Sequence, residues 1–195
     1  MPSRPKGLMT NRIVLAVTGA SGPQYAMALA RALSGRPDVE LHLILSEAAK
    51  KVIALEADFR AEDLLALAHA CHGEKDIAAG PASGSWRHAG MIVCPCSMAS
   101  LAAIAQGLGT NLIHRAADVT LKEGRKLILV TRETPLNRVH IVNMLAAKDA
   151  GAIIMPASPG FYHKPKTIAD LANHLAGRVL DQLGIDHDLF KRWGE

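Results

Sequence analysis

The sequence predicts an α/β domain built on a parallel sheet covered by helices on both faces. Two observations predict it. Five short aliphatic runs, "RIVLAVT", "VELHLIL", "GMIVCP", "KLILVT" and "AIIMPA", alternate along the chain with longer segments of helical character. Strand, helix, strand repeated in this way is the pattern of a sheet whose strands are buried on both sides. The length supports the same reading: 195 residues, 49% hydrophobic and 21% charged, suffice for one full core, and no internal repeat or low-complexity segment divides the chain.

The helical segments follow in order. "QYAMALARALSG" joins the first two runs, and "EAAKKVIALE" with "AEDLLALAHA" leads to the third. "SMASLAAIAQG" and "NLIHRAADVTLKEG" precede the fourth, "RVHIVNMLAAKDAG" the fifth, and "PKTIADLANHLAGRVLDQLG" closes the chain. Pro165 suits the first turn of that last helix, and Gly35, Gly124, Gly151 and Gly184 fall where helices should stop. The segment after Cys96 is apolar almost all round, and "VHIVNMLAA" nearly so. That exceeds what one face of a sheet can cover and reads either as a deeply packed core or, the preferred reading, as further burial between subunits.

Composition excludes several classes. The formal charge is only +4, its basic residues are scattered and aromatics make up 4% of the chain, so no nucleic-acid platform is expected. "MPSRPKGLMTN", residues 1–11, reads as a flexible tail without the apolar core of a signal peptide, and no later run is long enough to span a membrane; a cytoplasmic protein is expected. Cys71, Cys94 and Cys96 form no CxxC and no zinc spacing, so they read as reduced thiols and no metal site is expected.

In open parallel sheets, ligands bind beyond the carboxyl ends of the strands. The first run exits into "TGASG", Thr18 to Gly22, where small residues before a helix start let a backbone approach a phosphate or ring. This is not the full GxGxxG fingerprint, and alone a structural turn explains it better. The second run exits at Ser46, which suits an N-cap. The third exits into "CPCSMAS", so that Ser97 and Ser100 set a second helix start on the same edge; two such starts facing one crevice suggest a mononucleotide. The fourth exits into "RETP", placing Arg132 and Glu133 at the useful end, while Arg125 and Lys126 at the other end read as a solvated edge. The fifth supplies Tyr162, His163 and Lys164, with His163 reading as a solvated loop histidine.

In order along the chain, "TGASG", "PASGS", "CPCSMASLAAIAQG", "NLIHRAADVTLKEGRKLILVTRETPL", "NML", "GAIIMPASPGFYHKP" and "RWGE" together resemble the flavin prenyltransferases, the UbiX type that includes small subunits of phenolic-acid decarboxylase systems. The resemblance implies a flavodoxin-like, Rossmann-like doubly wound sheet, with residues 12–195 as one flavoprotein domain. It implies metal-independent transfer of a dimethylallyl group from dimethylallyl phosphate to reduced FMN, at N5 and C6. The prenylated FMN would pass to a UbiD-type decarboxylase, and the chain would form a homododecamer with sites at subunit contacts. Gly19, Ala20 and Ser21 would hold the flavin, Ser21 near N5, with Ser46, Ser97, Met98, Ala99, Ser100 and Arg132 completing its site. Lys122, Glu133, Tyr162 and Arg178 would surround the dimethylallyl phosphate, and Arg115 would reach its phosphate. Ser21, Lys122 and Glu133 would carry catalysis, with proton transfer assigned either to Glu133 or to the released phosphate.

The pattern departs from the family at one place. A tryptophan often precedes "PASGS" in the family and can face an allyl cation; counting back gives Ile77, with Trp86 either the substitute or a packing residue. Two other readings compete: an FMN-binding accessory subunit without catalysis, and a relative of flavin-dependent cysteine decarboxylases. Against the second, no "PxMNxxM" segment is present. Against the first, Lys122, Glu133, Tyr162 and Arg178 are all retained.

Overall fold

The computed structural model describes residues 11–194. The tail expected over residues 1–11 lies outside them apart from Asn11, which opens the first strand, and Glu195 of "RWGE" also lies outside. Six strands form one sheet: β1 (Asn11–Val17), β2 (Val39–Leu45), β3 (Ala70–Gly73), β4 (Gly90–Cys96), β5 (Lys126–Thr131) and β6 (Ile153–Ile154). All neighbours pair in parallel, in the order β3-β2-β1-β4-β5-β6. The order reverses between β1 and β4, which is the switch point at which doubly wound sheets open a crevice. Setting aside the short edge strand β3, the remaining five have the flavodoxin-like order.

The helices are α1 (Pro23–Leu33), α2 (Glu47–Glu56), α3 (Ala61–Leu65), α4 (Met98–Ala105), α5 (Leu112–Lys122), α6 (Arg138–Asp149) and α7 (Ile168–Leu183). Because side chains alternate across a strand, Ile13, Leu15 and Val17 pack into one core with α1, α2 and α7. Val14 and Ala16 face a second core closed by α4, α5 and α6. Fully buried side chains such as Leu15, Leu43 and Ile92 each contribute roughly 1.5–3 kcal/mol by leaving water. Among the described residues no helix is long and apolar enough to cross a membrane.

Several expectations are corrected. "AEDLLALAHA" does not stay helical: α3 stops at Leu65, and Ala70 to Gly73 add β3 to the sheet edge, where Ala70 pairs with His42. Pro165 precedes the last helix instead of entering it; Thr167 caps α7 by accepting from the Asp170 N–H, and Asp170 answers from the third position. Gly184 does end α7, in the left-handed conformation that only glycine adopts without strain. The apolar girth of α4 is absorbed within the chain by packing on α6, whereas α6 itself leaves Val139, Ile141, Val142 and Leu145 exposed.

Candidate functional site

The carboxyl ends of the strands around the switch point are tied to one another. Thr18 donates its backbone N–H and its hydroxyl to the Pro95 carbonyl at 3.3 and 2.7 Å, and its Oγ1 accepts from the Ser97 N–H at 2.8 Å. Ser46 N–H donates to Val17 O at 3.1 Å, and Arg132 N–H to Cys96 O at 3.2 Å. Four strand exits thus form a continuous rim. Cys94 and Cys96 sit behind it as packing residues; burial raises both thiols, Cys96 to about 12, and keeps them protonated.

On this rim lies the turn Gly19–Ala20–Ser21–Gly22. A Cβ on Gly19 would stand 2.6 Å from Ala48 Cβ, so only glycine lets the turn lie against α2. Gly22 has φ 95° and leads into α1, whose start has Pro23 in its first turn and no side-chain cap. By contrast, Ser46, Ser97, Asn111, Asn137 and Thr167 each cap their own helix. The α1 start has no cap from its own N-cap side chain. The small residues beside it fit an approaching ring.

Glu56, the last residue of α2, was not singled out from sequence. Its Oε2 accepts from Ser21 Oγ at 2.8 Å and Gly22 N–H at 3.0 Å, and its backbone carbonyl accepts from Gln24 Nε2 at 3.1 Å. An acid at a helix C-terminus opposes the helix dipole, and that mismatch is the signal that could have found it. The carboxylate fixes the Ser21 hydroxyl.

At the second helix start, Ser97 Oγ caps α4 and donates to Ser100 Oγ at 3.3 Å, which lies 3.4 Å from His114 Nε2. His114 Nδ1 meets Thr110 Oγ1 at 2.6 Å, and burial holds this histidine below its usual range. Met98 is buried and Ala99 exposed beside these hydroxyls. Arg132, half-buried, lines a cleft of about 180 Å³ with Ser21, Gly22 and Tyr25. The flavin set is therefore collected by one chain. Ser46 is buried at its margin with its Oγ committed to the Ala49 N–H. A larger cleft of about 590 Å³, lined by Lys50, Ile53 and Phe59, opens between α2 and α3 and holds none of the candidate residues.

The donor set is not collected. Glu133 is exposed at the β5 exit, where its Oε1 accepts from the Thr134 N–H at 2.9 Å. Tyr162 and Arg178 gather beside β6, linked through His174: Tyr162 Oη lies 2.9 Å from His174 Nε2, and His174 and Arg178 line one cleft of about 320 Å³. Arg115 and Lys122 ride on α5, which covers the opposite face of the sheet from α7. Arg115 pairs with Asp118 at 2.8 Å. Lys122 pairs with Glu123 at 2.7 Å, beside Gly84, two turns further toward the amino edge of the sheet.

Arg125 and His163 differ from expectation, and Trp86 takes the second of its two readings. Arg125 is no solvated edge: it donates to Trp86 O at 3.0 Å and Gly84 O at 2.7 Å, clamping "PASGSW" to the start of β5. Trp86 is a packing residue, edge-on to His42 at 4.7 Å and under the Arg12 guanidinium at 5.1 Å, while Ile77 is exposed. His163 is not solvated, because its ring stacks on His174 at 4.7 Å and both its nitrogens are buried.

Comparison with known proteins assigns the family and the fold. The family model described as Flavoprotein matches residues 3–178. The chain is 50% identical over 184 residues to the flavin prenyltransferase UbiX of Deinococcus radiodurans, covering 94% of both chains. Its fold is similar to the solved structure of AnUbiX (PadA1) in complex with FMN and dimethylallyl pyrophosphate, with TM-score 0.92, 46% identity and coverage of 95% and 98% of the two chains. It is also similar to a dodecameric FMN-dependent UbiX-like decarboxylase from Escherichia coli O157:H7, with TM-score 0.91, 47% identity and coverage of 94% and 100%.

Proposed function

Because the chain belongs to the flavin prenyltransferases, within the wider flavoprotein family, we propose that it joins a dimethylallyl group from dimethylallyl phosphate to reduced FMN and passes the prenylated flavin to a UbiD-type decarboxylase. The observation that carries the reading is the small-residue turn before α1 at the switch point, where only glycine fits at Gly19 and Ser21 and Arg132 line the adjoining cleft. Reduced flavin supplies the electron-rich N5 and C6 that take the new carbon bonds. The chain supplies position and charge. Gly19, Ala20, Ser21, Ser46, Ser97, Met98, Ala99, Ser100 and Arg132 hold the flavin. Glu56 braces Ser21 beside N5.

When the allylic C–O bond breaks, its electron pair leaves on the phosphate. Arg115, Lys122 and Arg178 stabilise that charge, and the Tyr162 hydroxyl donates to it. Glu133 or the released phosphate takes the proton that N5 gives up, and the same groups serve the proton exchange of ring closure at C6. Since α5 and α7 cover opposite faces of the sheet, Lys122 and Arg178 of one chain do not meet. The donor site is completed by another copy, which the exposed apolar residues of α6 support, and twelve chains is the assembly we assign.

The test is anaerobic. Protein, reduced FMN and dimethylallyl phosphate are mixed and the extracted flavin is weighed; a gain of one five-carbon unit is expected. Unchanged FMN that stays bound to the protein would favour a carrier without catalysis.

A further inference from the structure

We propose that His174 is a positioning residue for the prenyl donor: it donates from Nε2 to the phenol oxygen of Tyr162 and leaves the Tyr162 hydroxyl proton to a phosphate oxygen beside Arg178. The proposal rests on the assignment of Tyr162 and Arg178 to the donor.

The direction of the hydrogen bonds follows from the backbone. The Gly160 N–H can only donate, and it points at His174 Nδ1 at 3.2 Å. Nδ1 is therefore the acceptor, and in the neutral ring the proton sits on Nε2. Nε2 lies 2.9 Å from Tyr162 Oη, so the phenol oxygen accepts and its own proton is free to be donated elsewhere. An imidazolium would have no lone pair for the Gly160 N–H. Burial, followed by the neighbouring His163 and Arg178, accordingly lowers the pKa of His174.

Packing keeps the ring in this pose. His163 stacks on it with ring planes 4° apart, and Phe190 approaches at 4.6 Å. Gly160 is glycine for the same reason: a Cβ there would stand 3.0 Å from Tyr162 Cε1 and 3.2 Å from His174 Cε1. His174, which holds the Tyr162 hydroxyl, and Arg178 line together a cleft of about 320 Å³. On α7 these residues are one turn apart, so the helix presents an obligate cation and a neutral orienting ring to the same space. His174 is 5% exposed and Tyr162 40%, which suits a buried orienter and an accessible donor.

The test compares His174→Leu, His174→Gln, Tyr162→Phe and the double variant His174→Leu/Tyr162→Phe in the anaerobic assay, with flavin retention as the check on folding. His174→Leu is expected to lower kcat/KM for dimethylallyl phosphate by about tenfold, mainly through KM, as Tyr162→Phe does. The double variant should be no worse than Tyr162→Phe, because the two residues act as one unit. His174→Gln, whose amide N–H can take the place of Nε2–H, should recover most of the loss. Additive losses, or a His174→Gln protein no better than His174→Leu, overturn the proposal. A second readout needs no turnover: 15N chemical shifts of His174 in the wild-type protein should report protonated Nε2 and bare Nδ1, and the other tautomer or an imidazolium overturns it. A wild-type protein that fails to prenylate FMN removes the parent function and the positioning role with it, while the tautomer measurement still shows whether the His174–Tyr162 contact was read correctly.

Discussion

At the switch point, Thr18 alone joins β1 to β4 through three hydrogen bonds, and Glu56 fixes the turn that follows with two more. The cations assigned to the donor are arranged differently: Lys122 and Arg178 stand on helices covering opposite faces of the sheet, each beside its own carboxylate. In the proposed function the flavin cradle is thus a property of one folded chain, and the donor site a property of the assembly. The two should fail independently.

The largest expected effects lie in the donor set. Lys122→Ala and Arg178→Ala should each lower transferase activity by on the order of a hundredfold or more and leave flavin retention near wild type. Mixing the two inactive variants before assembly should restore part of the activity, because some sites then draw an intact Lys122 and an intact Arg178 from different chains. Equal loss of flavin, or no restoration on mixing, breaks the contrast between cradle and donor site. Charge on the exposed face of α6 tests the same point from the surface. Val142→Glu with Leu145→Glu should reduce the assembly seen by light scattering and abolish turnover, with FMN still bound by the smaller species.

The cradle should respond in the opposite sense. Ser21→Leu fills the turn between Glu56 and the Arg132 cleft, and equilibrium dialysis should show flavin affinity reduced by tenfold or more while the oligomer persists. Retained flavin at wild-type affinity would move the ring away from Ser21.

This contrast also explains what was legible in the sequence. The five aliphatic strands, the caps at Ser46 and Ser97 and the "TGASG" turn are local patterns, and each is read from a few adjacent residues. The strand β3 was missed because "ACHG" carries no aliphatic run and pairs only on one side, with β2. Glu56, Arg125 and His174 act through partners 35, 41 and 12 residues away, at Ser21, Gly84 and Tyr162, and no periodicity reports such separations. The donor residues were named from resemblance, and their dispersal within one chain could be seen only once the faces of the sheet were assigned.

Acid should separate the two regions again, with a smaller effect. His42 on β2 meets His72 at 3.1 Å beneath Trp86, on the segment that Arg125 clamps near Lys122. Burial, then His72, His69 and Arg12, against an opposing pull from Glu40, lowers its pKa to about 4. Because the folded value lies below the unfolded one, near 6.5, the unfolded chain takes up the proton first. This contribution to stability is complete above about pH 6.5 and is lost as pH falls toward 4, at most about 3 kcal/mol. His72 and His88 shift in the same direction through burial. Thermal melts between pH 7 and 4 should show the decline, and His42→Phe should flatten it.

The smallest expected effect is none. Excess EDTA should leave the initial rate of prenyl transfer unchanged, because the carboxylates beside the donor cations Arg115, Lys122 and Arg178 are already paired with them. Asp181, which burial pulls upward, is kept ionised by Arg192 and His187 and also braces Arg178 at 3.1 Å. Asp118 pairs with Arg115, Glu123 with Lys122, and Glu56 accepts from Ser21 and Gly22. Among the described residues, no group of three or more His, Cys, Asp or Glu side chains is placed to hold a metal ion. Hard cations on a phosphate need such oxygen ligands. In the proposed donor site Arg115, Lys122 and Arg178 instead meet the phosphate as donors, exchanging their surface ion pairs for it. High salt should therefore slow donor capture modestly by screening, where EDTA does nothing. Loss of activity on chelation, restored by magnesium, would show that the dispersed cations do not carry the phosphate and that the donor site was assigned to the wrong residues.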